Sequence, residues 1–153
     1  GLCIMWAYVG ISAGDFASGF LSHLMHSRKK AIFWMLMFTL LGVILLLLGR
    51  AKTVNGYYFF MGWLGLGTGY WAMFVTVGAE QFGTNIRSTV ASTVPNFVRG
   101  STVPLVLSFK ALESHFTIIQ SATILGIITI GLAILAVRYL PDTFGKNLDF
   151  IEE

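Results

Sequence analysis

Charge is scarce in this chain. Charged residues make up 11% of its 153 residues, against a hydrophobic fraction of 56%. Soluble domains carry about 25% charged residues, so a surface of ordinary water-facing composition is excluded. There is one cysteine, Cys3, which rules out an intrachain disulfide and a thiolate metal site. Only three prolines occur: Pro95, Pro104 and Pro141. No H-E-x-x-H motif and no Ser–His pairing within an apolar stretch is found, so the usual hydrolase signatures are missing. His23 and His26, with Asp15 nearby, are all that remains for a metal enzyme. Two histidines at i, i+3 can share a metal, but no further ligand accompanies them, and solvated histidines are the expectation. No enzyme activity, metal or cofactor is expected. The basic residues form no stripe or patch, so nucleic acid is not an expected partner.

What is present is five apolar stretches, at 1–22, 31–49, 57–79, 88–109 and 116–137. Each is long enough to cross a bilayer, whose hydrocarbon core needs about 20 apolar helical residues. The first carries only Asp15 as an acid or base, and the fourth only Arg99. The expected fold is therefore all-α: a polytopic membrane protein of five transmembrane helices, because a backbone in lipid must satisfy its own hydrogen bonds. Residues 1–140 would form the transmembrane bundle and 141–153 a cytoplasmic tail. The chain opens in mid-stretch with Gly1-Leu2-Cys3 and has an odd number of stretches, which points to part of a longer protein.

The short loops set an orientation. Arg28, Lys29, Lys30, Arg87, Arg138 and Lys146 lie on one side, and Arg50, Lys52 and Lys110 on the other. The positive-inside rule places the first group, and with it the tail, in the cytoplasm. The expected location is the cell (inner) membrane, with the lipid bilayer as a partner.

Small residues recur every four positions in the first stretch, at Gly10, Gly14, Ser18 and Ser22. Such a column shares one helix face and lets another backbone approach. The third stretch holds Gly62, Gly65, Gly67 and Gly69. That density predicts close packing or a bend, with a locally unwound solute site as the alternative.

The fourth stretch has a polar face. At 100° per residue, Thr89, Ser92, Thr93, Asn96, Arg99, Gly100 and Val103 fall within one sector of roughly 120°, and all but Val103 are polar or glycine. Such a face needs protein or water against it. Pro95 and Pro104 each remove a helix hydrogen bond and invite a kink. Arg99 follows Arg87 by roughly 18 Å of helix, which puts it near mid-membrane. A guanidinium there costs at least about 2.5 kcal/mol. Two readings stand: Arg99 binds an anionic solute, or it braces helices against a carboxylate outside this chain.

Three loops carry a family resemblance. Glu80-Gln81-Phe82-Gly83-Thr84-Asn85-Ile86-Arg87 resembles the E-x-F-P-x-x-x-R loop of major facilitator superfamily transporters, with Gly83 in place of proline. The tail Pro141-Asp142-Thr143-Phe144-Gly145-Lys146, followed by Leu148, Phe150, Ile151 and Glu152, resembles the P-E-T-K-G tail of sugar porters in that superfamily. Gly19 through Lys30 resembles its G-x-x-x-D-R-x-G-R-R loop, with His23 and Leu24 where an Asp and an Arg should stand. The resemblance implies helices eight to twelve of a twelve-helix transporter, a partial C-terminal bundle. The absent N-terminal half would then be a partner, and the chain alone would be inactive. It also implies that Glu80, Arg87, Arg28 and Asp142 form a cytoplasmic charge cluster that biases one access state.

Inside the membrane the sugar-porter likeness stops. Ala72 and Val75 stand where its Pro and Trp would be, with Tyr70 and Trp71 near but out of register. Asn96-Phe97-Val98-Arg99 instead resembles the N-x-x-R of sialate and carboxylate symporters. The expected function is secondary active or facilitative transport of a small polar, anionic metabolite by alternating access. Arg99, Asn96, Ser92, Tyr70 and Trp71 are the candidate solute-binding residues, and Asp15 the candidate coupling group. A sugar porter of the same fold is the alternative, and a non-transporting membrane scaffold or receptor the second.

Overall fold

The computed structural model describes residues 1–145, 149 and 151. Among these residues seven helices follow one another: α1 (Leu2–Met25), α2 (Arg28–Leu47), α3 (Val54–Thr68), α4 (Trp71–Glu80), α5 (Arg87–Gly100), α6 (Thr102–Glu113) and α7 (Ile118–Tyr139). No strand occurs among the described residues.

The helix starts are written locally. Ser27 caps α2 by accepting the Lys30 N–H at 3.2 Å, and Thr53 caps α3 by accepting the Gly56 N–H at 3.1 Å. Each satisfies an N–H that the first helical turn leaves without a partner. Thr117 and Gln120 form a reciprocal capping box at the start of α7. His26 ends α1 in the left-handed region, at φ 47°, where a non-glycine residue is uncommon.

The expectation of a five-span polytopic bundle is overturned here. Among the described residues two helices, Arg28–Leu47 and Ile118–Tyr139, are long and apolar enough to cross a membrane. α1 is long enough at 24 residues, but its Gly, Ser, Asp and His residues dilute its apolar character. The third apolar stretch is divided at Gly69-Tyr70 into α3 and α4, of 15 and 10 residues. At 1.5 Å per residue these reach about 22 and 15 Å, short of a core of about 30 Å. The fourth stretch is divided at Ser101 into α5 and α6, of 14 and 12 residues. Pro104 explains that division, since it has no N–H to return to the Gly100 carbonyl. The partial major facilitator architecture, and the expectation of transport insofar as it rests on that architecture, are corrected by the same finding.

Packing follows the glycines. A Cβ at Gly10 would collide with the Gly62 carbonyl, one at Gly65 with the Ala7 carbonyl, and one at Gly14 would meet Gly69 Cα at 2.8 Å. The backbones of α1 and α3 therefore touch directly, which is the close approach that small-residue columns permit. A second layer joins α2, α4 and α7 through a core of Ala31, Ile32, Leu36, Met73, Val77 and Val137. α5 packs on α4, and α6 on α7. Neither α5 nor α6 buries a residue.

Candidate functional site

The site grows from the break between α3 and α4. α3 closes at Gly69, and α4 restarts one residue later, leaving the first N–H groups of α4 without helical partners. Asp15, from the middle of α1, reaches one of them: its carboxylate accepts the Ala72 N–H at 3.2 Å. A carboxylate suits that position because a helix N-terminus carries partial positive charge. Arg99, from the last turn of α5, lies over the Trp71 ring with Cζ 5.9 Å from its centroid. That is within cation–π range. An anion-seeking guanidinium and a carboxylate thus address adjacent residues, Trp71 and Ala72, at the start of one short helix.

Of the expected solute-binding residues, the structure brings Arg99 to Trp71, with Tyr70 next in the chain as the residue preceding α4. Asn96 and Ser92 sit one and two turns before Arg99 on exposed α5. Their donors already serve their own helix: Asn96 Nδ2 donates to the Ser92 carbonyl at 3.0 Å, and Ser92 Oγ to the Thr89 carbonyl at 2.9 Å.

A cavity of about 410 Å³ opens beside the break, between α1 and α4. Asp15, Ser18, Ser22, His23, Arg28 and Thr76 line it, together with Phe144. Ser18 and Ser22 are buried, at 1% and 7% exposure, and Thr76 donates to the Ala72 carbonyl at 2.8 Å. Sequence reasoning treats Ser18 and Ser22 as a packing column with Gly10 and Gly14. Only the glycines pack on α3; the serines face the cavity. Their spacing from Asp15, at i+3 and i+7, is the signal that places all three on one face. Nothing in the sequence marks Thr76, and Phe144 enters only as part of the tail motif.

Two members of the expected charge cluster, Arg28 and Glu80, meet beside the cavity, and Asp142 lies close by on the Arg28 backbone. Arg28 and Glu80 form an ion pair, with Glu80 buried. The Asp142 carboxylate accepts from the Ser27 hydroxyl, from the Arg28 N–H at 3.2 Å and from the Phe144 N–H at 3.2 Å. Burial alone would raise the pKa of Asp142. The hydrogen bonds from Ser27, Phe144, Arg28 and Lys29 outweigh it and hold the carboxyl below its ordinary range. Lys29 Nζ ties α2 to the end of α7, donating to the Arg138 carbonyl at 2.6 Å. Gln81 Nε2 donates to the Pro141 carbonyl at 3.5 Å. Phe144 packs on both His23 and His26, with ring centroids 6.2 and 5.6 Å apart. Arg87 donates from Nε and Nη2 to the Phe82 carbonyl at 3.3 and 3.2 Å. Lys146, Leu148, Phe150 and Glu152 of the tail motif lie outside the described residues.

His23 and His26 serve as ring partners for Phe144, and no group of three or more metal-ligating side chains occurs among the described residues. No family model, curated protein or solved structure matches the chain.

Proposed function

We propose that this chain is the solute-binding part of a membrane carrier that moves a small polar, anionic metabolite across the bilayer by exposing its site to each side in turn. The observation that carries the reading is Arg99 over Trp71 at the interrupted α3–α4 junction. Membrane carriers bind solutes where helices are discontinuous, because free N–H groups and the helix dipole there favour an anion. Here Asp15 occupies that role from within the chain, and Arg99 supplies a charged donor beside it.

The membrane setting rests on α2 and α7, which are long and apolar enough to span. It also rests on the large apolar side chains exposed along α1, α6 and α7, among them Phe16, Phe20, Leu107, Ile127 and Leu132. Patches of that extent are expected against lipid or protein. With the loop charges counted, the tail and the Arg28–Glu80 pair lie on the cytoplasmic face. The resemblance of three loop segments to those of major facilitator transporters supports a cluster that opens and closes with the access state, while the helix count of that superfamily is not part of the reading.

Titration calorimetry on the purified chain in detergent, with a panel of small carboxylates, tests this. Arg99→Ala should weaken binding by at least about tenfold, since a hydrogen bond to a charged group contributes about 1.5–3 kcal/mol. Arg99→Lys should weaken it less, because lysine keeps the charge but loses the planar fork. A folded Arg99→Ala chain with unchanged affinity would remove the site.

A further inference from the structure

Another cavity, of about 530 Å³, lies where α1, α2 and α3 meet. Trp6, Phe38, Phe59, Trp63 and Leu66 supply most of its wall. Asn55 and Tyr58 line it from the start of α3. The rings serve one another rather than a polar ligand. Trp63 stacks on Phe38 with centroids 4.6 Å apart, and Phe59 meets Trp63 at 5.7 Å. Trp63 Nε1 donates to the Phe38 carbonyl at 3.0 Å, so its donor is spent. What this wall offers an occupant is carbon. A neighbouring cavity of about 440 Å³ shares Phe38 and Leu66 with it and reaches Leu21 and Trp34. From Asn55 to Leu66, α3 advances about 16 Å. That is the depth of one leaflet, half of a hydrocarbon core of about 30 Å.

The Asn55 end is flanked by positive charge. Ala51 is buried, and a Cβ at Gly56 would meet its Cα at 3.5 Å. That contact holds the loop before α3 against the first turn of the helix, beside Asn55. Arg50 and Lys52 stand on either side of Ala51 in the chain, both exposed. No acidic residue occurs between Asp15 and Glu80 in the sequence. Among the described residues no ion pair includes Arg50 or Lys52. An occupant that is apolar over about one leaflet's depth and negatively charged at one end matches both features. We propose that this cavity binds one membrane lipid with an anionic headgroup, its acyl chain among the aromatic rings and its phosphate at Arg50 and Lys52. The lipid sits against α1 through Trp6 and against α3 through Gly62 and Trp63, at the seam where those two backbones touch. The site shares the membrane setting of the reading above but not the role of Arg99, since no residue of α5 lines either cavity.

The experiment uses the full chain in detergent, with phosphatidylglycerol and phosphatidylcholine of identical acyl chains as probes. Native mass spectrometry should find one phosphatidylglycerol retained per chain, bound at least about tenfold more tightly than phosphatidylcholine, as two basic residues near an anionic headgroup require. Arg50→Gln combined with Lys52→Gln should reduce that preference to below about threefold. Gly62→Leu is the blocking variant. A Cβ there meets only the Trp6 carbonyl within 4 Å, at 3.8 Å, and leucine is the better helix former. It should lower retention of both lipids at least about tenfold. Circular dichroism follows the fold. On the unsubstituted chain, phosphatidylglycerol brominated along its acyl chains should quench tryptophan fluorescence and saturate at one lipid per chain, which tests the site even where a variant fails to fold. Equal binding of the two lipids would overturn the proposal, as would quenching that never saturates or a folded Gly62→Leu chain that keeps its lipid. Glycerol phosphate, which carries the anion without the chains, should not displace the lipid; displacement would reduce the site to a surface anion contact and overturn it. A lipid-free dimer abolished by Gly62→Leu would give the cavity to a second copy instead and overturn the lipid. Carboxylate binding at Arg99 is measured separately by calorimetry, so either site can fail alone.

Discussion

Asp142 serves the end of the chain and the start of α2 at once: one carboxylate takes the Ser27 hydroxyl and the N–H groups of Arg28 and Phe144. Replacing it by alanine removes an acceptor at a helix start, so Asp142→Ala should destabilise the fold by about 1 kcal/mol. It should also release Phe144 from the cavity mouth, seen as faster proteolysis after Leu140. The same carboxyl gives a pH dependence of known sign. Its folded-state pKa lies below the ordinary value of 3.8. Its stabilising effect is therefore full above that value and is lost as pH falls through the lower folded value. Melting temperatures of the unsubstituted chain and of Asp142→Ala should differ at neutral pH and converge in strong acid. A gap that persists there would mean the carboxylate charge is not what holds the tail. Arg28 and Glu80 invite a double-mutant cycle. Glu80 is buried and Arg28 is not fully so, so Glu80→Gln should cost about 1–3 kcal/mol. Arg28→Ala should add little once Glu80 is gone; additive losses would argue that the two side chains act separately.

Among the elements, α1 and α3 meet backbone to backbone, and the glycines there are not interchangeable with glycines elsewhere. Gly65→Ala would place a methyl group into the Ala7 carbonyl, whereas Gly131→Ala on α7 meets nothing within 4 Å. The first should cost about 1–3 kcal/mol by forcing two helices apart. The second should be neutral or stabilising by up to about 1 kcal/mol through helix propensity. Denaturant titration in detergent distinguishes them, and equal effects would refute the direct backbone contact. This part of the structure is legible in the sequence, because small residues at i and i+4 have few other uses in an apolar helix. The interruptions are less so. Four glycines near position 65 announce a disturbance without saying where the helix stops. Pro104 acts four residues upstream of itself, so its effect surfaces at Gly100-Ser101 rather than at the proline. Apolar length was the basis for expecting five membrane-crossing helices, and apolar length carries no information on backbone continuity. The site was legible in part for the same reason. Arg99, Trp71 and Asp15 stand out as isolated polar or aromatic groups, but their convergence on α4 depends on a break that hydropathy does not register. Phe144 looks like any tail residue until the tail folds back.

At the scale of the molecule, α2 and α7 pass the length and hydropathy requirements for crossing a bilayer, while α5 presents Ser92, Asn96 and Arg99 on an exposed surface. In liposomes of the chain with Cys3→Ser as background, cysteines at positions 36 and 128 should resist a water-soluble thiol reagent, and cysteines at 92 and 96 should react. Ready labelling at 128 would place α7 in water and remove the membrane setting. The contact between α1 and α3 bears on the order of assembly. These two helices meet backbone to backbone, yet the whole of α2 separates them along the chain. During synthesis the glycine face of α1 waits for the α3 backbone it packs on until residue 69 has followed. The interval is a loop closure of some fifty residues, slow relative to helix formation itself. Any chaperone or insertion factor that handles this chain would meet α1 in that waiting state, with Gly10 and Gly14 as the surface to be shielded.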